Sequence, residues 1–497
     1  MVSIQQKNVF KKIEKKPKIG LNRDTMSLFK KIAFNGAVQI AGKIVSTLLG
    51  LVAIGILTRY LGAEKFGWYT TAITFLQFAG ILIDFGLIPV TAQLLASGQH
   101  DETKLLQNLL GFRFATAFIF FGLTPFVAFL FPYPIEIKIA IALLSISFLA
   151  IAMNQIFTGY YQQTLAMHIP VIGELIGRII LVVGLGLGYY HHANFLTLMI
   201  LISLSSIAYT ASLWLATARR TKPTMTYDKA IWKSIAKTMW PIAISIVFNV
   251  VYLKGDTILL SLFRTQTEVG LYGAAYRVID ILAQIAMLMM GILLPLLAAS
   301  FARKNIMEFK ERYQNSFDAM MMIAIPITLG TFALADRIML TVAGPEFASA
   351  GIMLRFLSLA VFGVYVGAVF GHTAVAIGQQ KATMWIYISD AIITFVGYWY
   401  AIPRFGWYGA ALLTIFSELY AGILLAWVIS ERIDCRLSLG RFAKIIGAGA
   451  VMLAPIFVFP QLNIFILIPI AVVIYVGVLI ATKAVPRAVL GELMRRS

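Results

Sequence analysis

A chain of 497 residues that is 60% hydrophobic and only 13% charged has too few polar groups to cover a soluble surface. The formal net charge of +19 does not point to nucleic acid, because no segment between the apolar runs is long enough to fold as a nucleic-acid-binding domain. A single cysteine, Cys435, excludes a disulfide framework and any cysteine-based metal site.

Residues 1–32 carry nine Lys or Arg and precede an apolar run without an A-x-A-like cleavage site, so they read as a basic arm rather than a cleaved signal. Held near anionic headgroups, each such charge is worth about 1 kcal/mol. Beyond the arm, apolar runs long enough to cross about 30 Å of hydrocarbon recur to Ala481. They predict spans at 34–57, 67–89, 108–131, 137–158, 170–189, 195–216, 239–262, 271–298, 317–335, 350–371, 384–402, 407–429, 445–460 and 463–482. The chain is thus expected to be an all-α integral membrane protein of about fourteen transmembrane helices.

With the N-terminus inside, the inner loops and tails carry 29 Lys or Arg and the outer loops 6. That bias predicts a multi-pass protein of the cytoplasmic (cell) membrane with both termini cytoplasmic. The longest loop, between spans six and seven, has about 22 residues and cannot hold a catalytic domain. Function must therefore be built from the spans. The reading is of a transporter and not an enzyme, with no cofactor, no metal and no nucleic-acid partner.

Gly67-Trp68-Tyr69-Thr70-Thr71-Ala72 opens span two and Gly270-Leu271-Tyr272-Gly273-Ala274-Ala275 opens span eight. Both read G-x-Y-x-x-A, and the offset of 203 residues brings span two onto span eight. Two parallel repeats of six spans follow, related by an axis along the membrane normal. The expected organisation is a cytoplasmic tail at 1–32, a first lobe at 33–216, a linker at 217–238, a second lobe at 239–430, two appended spans at 431–482 and a cytoplasmic tail at 483–497.

Leu57-Thr58-Arg59-Tyr60-Leu61-Gly62-Ala63-Glu64-Lys65-Phe66-Gly67-Trp68-Tyr69, followed by Asp84-Phe85-Gly86-Leu87, carries a resemblance. These stretches resemble the polysaccharide-transporter branch of the multidrug/oligosaccharidyl-lipid/polysaccharide exporter superfamily, which includes O-antigen and teichuronic-type flippases. Arg59, Gly62, Gly67, Tyr69, Asp84 and Gly86 are the signature positions. The resemblance implies a V of two six-helix lobes around a central cavity open to one face at a time. It also implies a polyprenyl-diphosphate-linked oligosaccharide as cargo, membrane lipids as surroundings, and glycan polymerase or glycosyltransferases as partners.

Charges inside the spans are costly in lipid and are candidates for function. Lys43 lies about 14 Å into span one at 1.5 Å per residue. Lys254 and Asp256 share the outer half of span seven, near the depth of Arg277 and Asp280 on span eight. A diphosphate leaving water needs paired cations, which Lys43, Arg178, Lys254 and Arg277 can supply. In the related lipid II flippases a cationic residue of the first span serves the cavity, and Lys43 occupies a similar place. Glu418, Asp390 and Asp256 are candidates for coupling to a proton or sodium gradient, or else salt-bridge partners of nearby cations. Glu174 with Arg178, and Arg277 with Asp280, are spaced to neutralise each other along one helix. Arg113 and Asp318 begin their spans and are expected at the interface with water.

The expected function is a flippase for O-antigen or another surface-polysaccharide unit, working by alternating access and open to ion coupling. The alternatives are a cation-coupled multidrug exporter of the same superfamily, a lipid II flippase, a scramblase needing no gradient, and a scaffold for glycan-assembly enzymes.

Overall fold

The computed structural model describes residues 23–81, 87–96, 101–433 and 437–484. Asp84, Gly86, Cys435 and most of the basic N-terminal arm lie outside them. The described residues form an all-helical bundle: α1 Arg23–Ile81, α2 Leu87–Ala96, α3 Glu102–Ala128, α4 Ile135–Gln163, α5 His168–Tyr190, α6 Phe195–Ala218, α7 Lys229–Phe263 and α8 Gln266–Ala302. After these come α9 Ile306–Val342, α10 Ala350–Ala376, α11 Gln380–Phe405, α12 Trp407–Ile433, α13 Gly440–Met452, α14 Ala454–Val458 and α15 Ile464–Ala481. Loop residues with short polar side chains start many of them. Asp101, Asn194, Asp228, Thr265, Asn305 and Asn463 each accept a backbone N–H from the first turn of the helix that follows.

Twelve helical stretches among the described residues are long and apolar enough to cross a membrane. The first, Phe34–Gly80, has 47 residues. As one rod it would be about 70 Å long, more than twice the hydrocarbon thickness. It is instead broken at Gly62, whose φ of 68° and ψ of 177° suit a residue without a Cβ. The first arm runs beside α5, with the Asn35 amide donating to the Leu165 carbonyl at 2.6 Å and the Tyr60 hydroxyl to the Ala193 carbonyl at 2.7 Å. Beyond Gly62 the chain returns, carrying Trp68 onto Phe195 and Phe75 onto Phe131. Predicted spans one and two are therefore the two arms of α1. Predicted span thirteen is α13 and α14, interrupted at Leu453 ahead of Pro455. The 35-residue α7 corresponds to span seven.

Helices α1–α6 pack mainly with one another, as do α7–α12. α7 joins the two groups. Its first turns bury Ile231, Ile235 and Met239 with Leu105, Leu109 and Leu213 of the first bundle, whereas near its end Asp256 bonds Tyr272 and Thr414 of the second. α13 and α15 attach to α9 through Arg441–Asp318 at 2.9 Å and a Tyr475 hydroxyl donated to the Met322 carbonyl. Large apolar side chains such as Phe126, Trp427, Phe465 and Val473 point outward, as a lipid solvent allows.

Contacts between the two bundles concentrate at the Gly62 end. There α1 meets α8 at Gly67 and Gly270. The Tyr133 hydroxyl lies 2.9 Å from that of Ser261, and Phe66 packs edge-on against Phe347. The Arg59 guanidinium donates to the carbonyls of Thr341 at 2.6 Å and Val342 at 2.9 Å, at the last turn of α9. At the opposite end, the 219–228 linker is tied to α3 by Lys104–Asp228 at 2.8 Å and by Gln107 donating to the Lys222 carbonyl.

Candidate functional site

The residues between the bundles gather around one carboxylate. Lys254 Nζ on α7 donates to both oxygens of Asp280 on α8, at 3.0 and 3.4 Å. Arg277, one turn before Asp280, reaches the same carboxylate at 4.0 Å. The i,i+3 pairing expected on α8 is therefore secondary, because the nearer cation comes from another helix. Two cations share one anion, leaving a local excess of one positive charge. Aromatic rings cover both: Lys254 lies 4.8 Å from the centre of Tyr276, and Arg277 5.9 Å from that of Tyr69 across the bundle interface.

Two spaces adjoin this cluster. A cavity of about 350 Å³ extends through the second bundle, and its polar lining includes Lys254, Asp280, Tyr276, His372, Thr414 and Glu418. A narrow gap of about 20 Å³ lies on the side of α1, where Thr70, Thr74 and Gln77 face Lys254, Arg277 and Asp280. Gly363 lets α10 approach α12 closely, since a Cβ there would stand 2.5 Å from that of Glu418.

The three acids proposed for ion coupling are all buried. Asp256 accepts from the Thr257 N–H at 2.6 Å and its hydroxyl at 3.1 Å through one oxygen. Its other oxygen accepts from Tyr272 at 2.9 Å and Thr414 at 3.4 Å. Asp390 accepts from Thr394 and Ser417, both at 2.9 Å. Among the described residues neither takes part in an ion pair, so the salt-bridge role considered from the sequence is not the arrangement found. Glu418 has no ion-pair or hydrogen-bond partner among the described residues and faces the cavity.

A second polar group lies in the first bundle. The Ser46 hydroxyl on α1 donates to Glu174 on α5 at 2.5 Å and accepts from Arg178 Nε at 3.3 Å. The acid and base expected to neutralise each other are thus bridged by a serine. Lys43 stands one turn earlier on α1, half-buried and in no ion pair among the described residues. Of the four candidate cations, Lys254 and Arg277 are brought together on one carboxylate, while Arg178 belongs with Ser46, Glu174 and the Lys43 face of α1.

Of the signature residues, Arg59, Gly62, Gly67 and Tyr69 stand at the interface between the bundles. Two charges expected near water are instead buried: Arg113 bonds the Ala152 carbonyl and Gln155 of α4, and Asp318 bonds Arg441 and Gln314. Ser46, Thr70, Thr74, Gln77, Tyr276 and His372 were not singled out from the sequence. Neutral polar and aromatic residues are common within spans and give no pattern that marks them.

Comparison with known proteins agrees with this architecture. Residues 32–301 match the model of the polysaccharide biosynthesis protein family. A probable low-salt glycan biosynthesis flippase of Haloferax volcanii, Agl15, is 23% identical over 228 residues. That stretch is 46% of this chain and spans only about half (48%) of the relative. Among solved structures, a lipid II flippase in an inward closed conformation superposes with a TM-score of 0.75 at 14% identity, over 89% of this chain and 97% of that one. An inward-facing multidrug-resistance transporter of the multidrug/oligosaccharidyl-lipid/polysaccharide superfamily gives 0.67 at 13% identity, over 80% and 98%. At these identities the superpositions establish the fold. The family match covers more than half of the sequence, and the chain belongs to the polysaccharide biosynthesis protein family.

Proposed function

We propose that the protein is a flippase that carries a polyprenyl-diphosphate-linked oligosaccharide, an O-antigen or other surface-polysaccharide unit, across the cytoplasmic membrane by alternating access. The observation that carries this reading is the Lys254–Asp280–Arg277 cluster between the bundles, with two cations on one carboxylate. A diphosphate entering between the bundles competes with Asp280 for both cations, so its charge stays paired as it leaves water. Lys43 and Arg178 are the corresponding cations of the first bundle. The lipid tail stays in the bilayer while the head passes between the bundles.

The charge bias of the loops puts the termini and the linker on the cytoplasmic side. Contacts at the Gly62 end then close the outer face, and the described state is the one that receives cargo from inside. Asp256, Asp390 and Glu418 take up a proton or sodium ion: each is a buried carboxylate in no ion pair among the described residues, and a bound ion would supply the missing charge. Glycosyltransferases and a glycan polymerase act before and after this step.

The test is reconstitution in liposomes with a fluorescent polyprenyl-diphosphate saccharide. Wild type moves it between leaflets, and Lys254→Met with Arg277→Gln lowers the rate at least tenfold while the protein keeps its unfolding temperature. Equal rates for wild type and variant would refute the assignment. The multidrug alternative is tested in the same liposomes: cationic dye efflux without lipid movement would replace the flippase reading.

A further inference from the structure

Thr70, Thr74 and Gln77 stand at i, i+4 and i+7 on the second arm of α1, and therefore on one helix face. Thr70 and Thr74 are 5% and 4% exposed. A buried threonine on a helix usually donates to the carbonyl four residues back. Thr58 and Thr124 do so here, to Ile54 at 2.9 Å and Phe120 at 2.7 Å. The Thr70 hydroxyl is buried and has no hydrogen-bond partner. Among the described residues none bonds the side chains of Thr74 or Gln77. Thr71, facing another way, is satisfied by Gln266 at 2.7 Å. Unfilled hydrogen-bonding capacity inside a membrane bundle is expensive unless something fills it.

The same three residues line the gap that holds Lys254, Arg277 and Asp280. We propose that Thr70, Thr74 and Gln77 form a saccharide-reading wall, taking the hydroxyl or amide groups of the sugar attached to the diphosphate. The inference rests on the diphosphate reading above and adds to it the residues that recognise the sugar. The chemistry selects the ligand class. Acidic side chains would suit a drug cation and apolar ones a prenyl tail, but neutral donors and acceptors in a dry site suit hydroxyls and penalise analogues that lack them. In the described state the gap has room for about one water, so the sugar reaches this wall when α1 and α8 move apart.

The full chain in nanodiscs is titrated with a short polyprenyl diphosphate, bare or carrying one hexose, N-acetylhexosamine or hexuronic acid. At least one glycosylated lipid is expected to bind wild type fivefold or more tighter than the bare lipid. Thr74→Val with Gln77→Met should erase that preference and leave bare-lipid affinity within twofold. Gln77→Met alone, at a half-buried position, replaces the double variant if that one unfolds, and should lower the preference about threefold. The inference is overturned if no sugar improves on the bare lipid, if the variants weaken bare and glycosylated lipids equally, or if they change neither. Lys254→Met separates the two readings. It should weaken every lipid alike, and unchanged bare-lipid binding in that variant would count against the diphosphate assignment and not against the saccharide wall.

Discussion

Gly67 and Gly270 lie against each other across the bundle interface. A Cβ on Gly67 would stand 1.8 Å from the Gln266 carbonyl oxygen, and one on Gly270 1.9 Å from that of Ala63. Gln266 follows Ala63 by 203 residues and Gly270 follows Gly67 by the same interval. The contact is therefore reciprocal, as a two-fold relation between parallel repeats requires. Thr70 packs on Gly273, its own equivalent at that offset, so the axis passes close to this pair.

An alanine at Gly67 or Gly270 puts a methyl group inside a backbone carbonyl, which has no rotamer to move aside. Gly270→Ala is expected to part α1 from α8 at this end. Disulfide formation between cysteines placed at Lys65 and Thr267 should fall severalfold, and glycan export to below a tenth. Gly122→Ala is the control, because nothing lies within 4 Å of its Cβ position. Equal cross-linking in both variants would remove the close glycine contact as the reason for these residues.

Arg59 is the second lock at the same end. Its guanidinium reaches the last carbonyls of α9 from the other bundle, where unpaired C=O groups and the negative end of the helix dipole favour a cation. A charge-assisted hydrogen bond contributes about 1.5–3 kcal/mol when well sheltered, and less at this exposed site. Arg59→Ala should therefore shift the lobe equilibrium about tenfold toward separation at the Gly62 end. Arg59→Lys should fall between, because an ammonium lacks the planar fork that spans two carbonyls. Spin-label distances across the interface would measure the shift, and a distribution unchanged in Arg59→Ala would remove the locking role.

These contacts show what the sequence could and could not reveal. The spans were legible because apolar runs of membrane length have no other economical fate, and the G-x-Y-x-x-A echo marked the residues that meet at the interface. Partners from other helices were not legible. Arg277 and Asp280 are spaced to pair, yet Lys254 of α7 takes the carboxylate more closely. Glu174 and Arg178 are spaced to pair, yet Ser46 of α1 enters between them. Arg113 and Asp318 begin apolar runs and read as interfacial, yet α4 and α13 cover them. Spacing along one helix predicts what can meet, and tertiary packing decides what does.

Asp280 gives the third prediction. It occupies the cations assigned to diphosphate, so Asp280→Asn should bind inorganic diphosphate several-fold more tightly and release it more slowly. Lys254→Met should bind it at least tenfold more weakly. The opposed effects distinguish competition from a general loss of structure, which would weaken both. Isothermal titration and single-turnover flipping are the measurements, and weaker binding in Asp280→Asn would show that the carboxylate helps to hold the ligand.

Asp256 and Asp390 test ion coupling. Asn is nearly isosteric and keeps an acceptor for the Tyr272, Thr414, Thr394 and Ser417 hydroxyls. Either substitution should remove the response of flipping to an imposed proton or sodium gradient and leave lipid binding within twofold. Flipping in each single variant that still follows the gradient as in wild type would exclude that residue from coupling.

The linker between the bundles should respond to acid through Asp228. This residue caps α7 by accepting from the N–H groups of Ala230 at 3.0 Å and Ile231 at 3.3 Å, and it pairs with Lys104 at 2.8 Å. The hydrogen bond from Lys104, followed by that from the Ile231 N–H, holds its carboxyl below the usual 3.8. A depressed folded value means that the unfolded state binds protons more readily. The stabilising effect is complete above the unfolded value and is lost as pH falls through the folded one. The tie of the linker to α3, which includes Asp228 N–H donating to Asn108 at 2.7 Å, should therefore loosen only below about pH 4. The pair is solvent-exposed, so the slope should be shallow and weaken further in high salt. Hydrogen exchange at Ala230 and Ile231, followed from pH 6 to pH 3 and corrected for intrinsic rates, should show protection falling in wild type. Asp228→Ala, which removes the cap acceptor, should have low protection and little dependence on pH across that range. A wild-type profile as flat as that of the variant would mean that the carboxylate does not hold the linker in place.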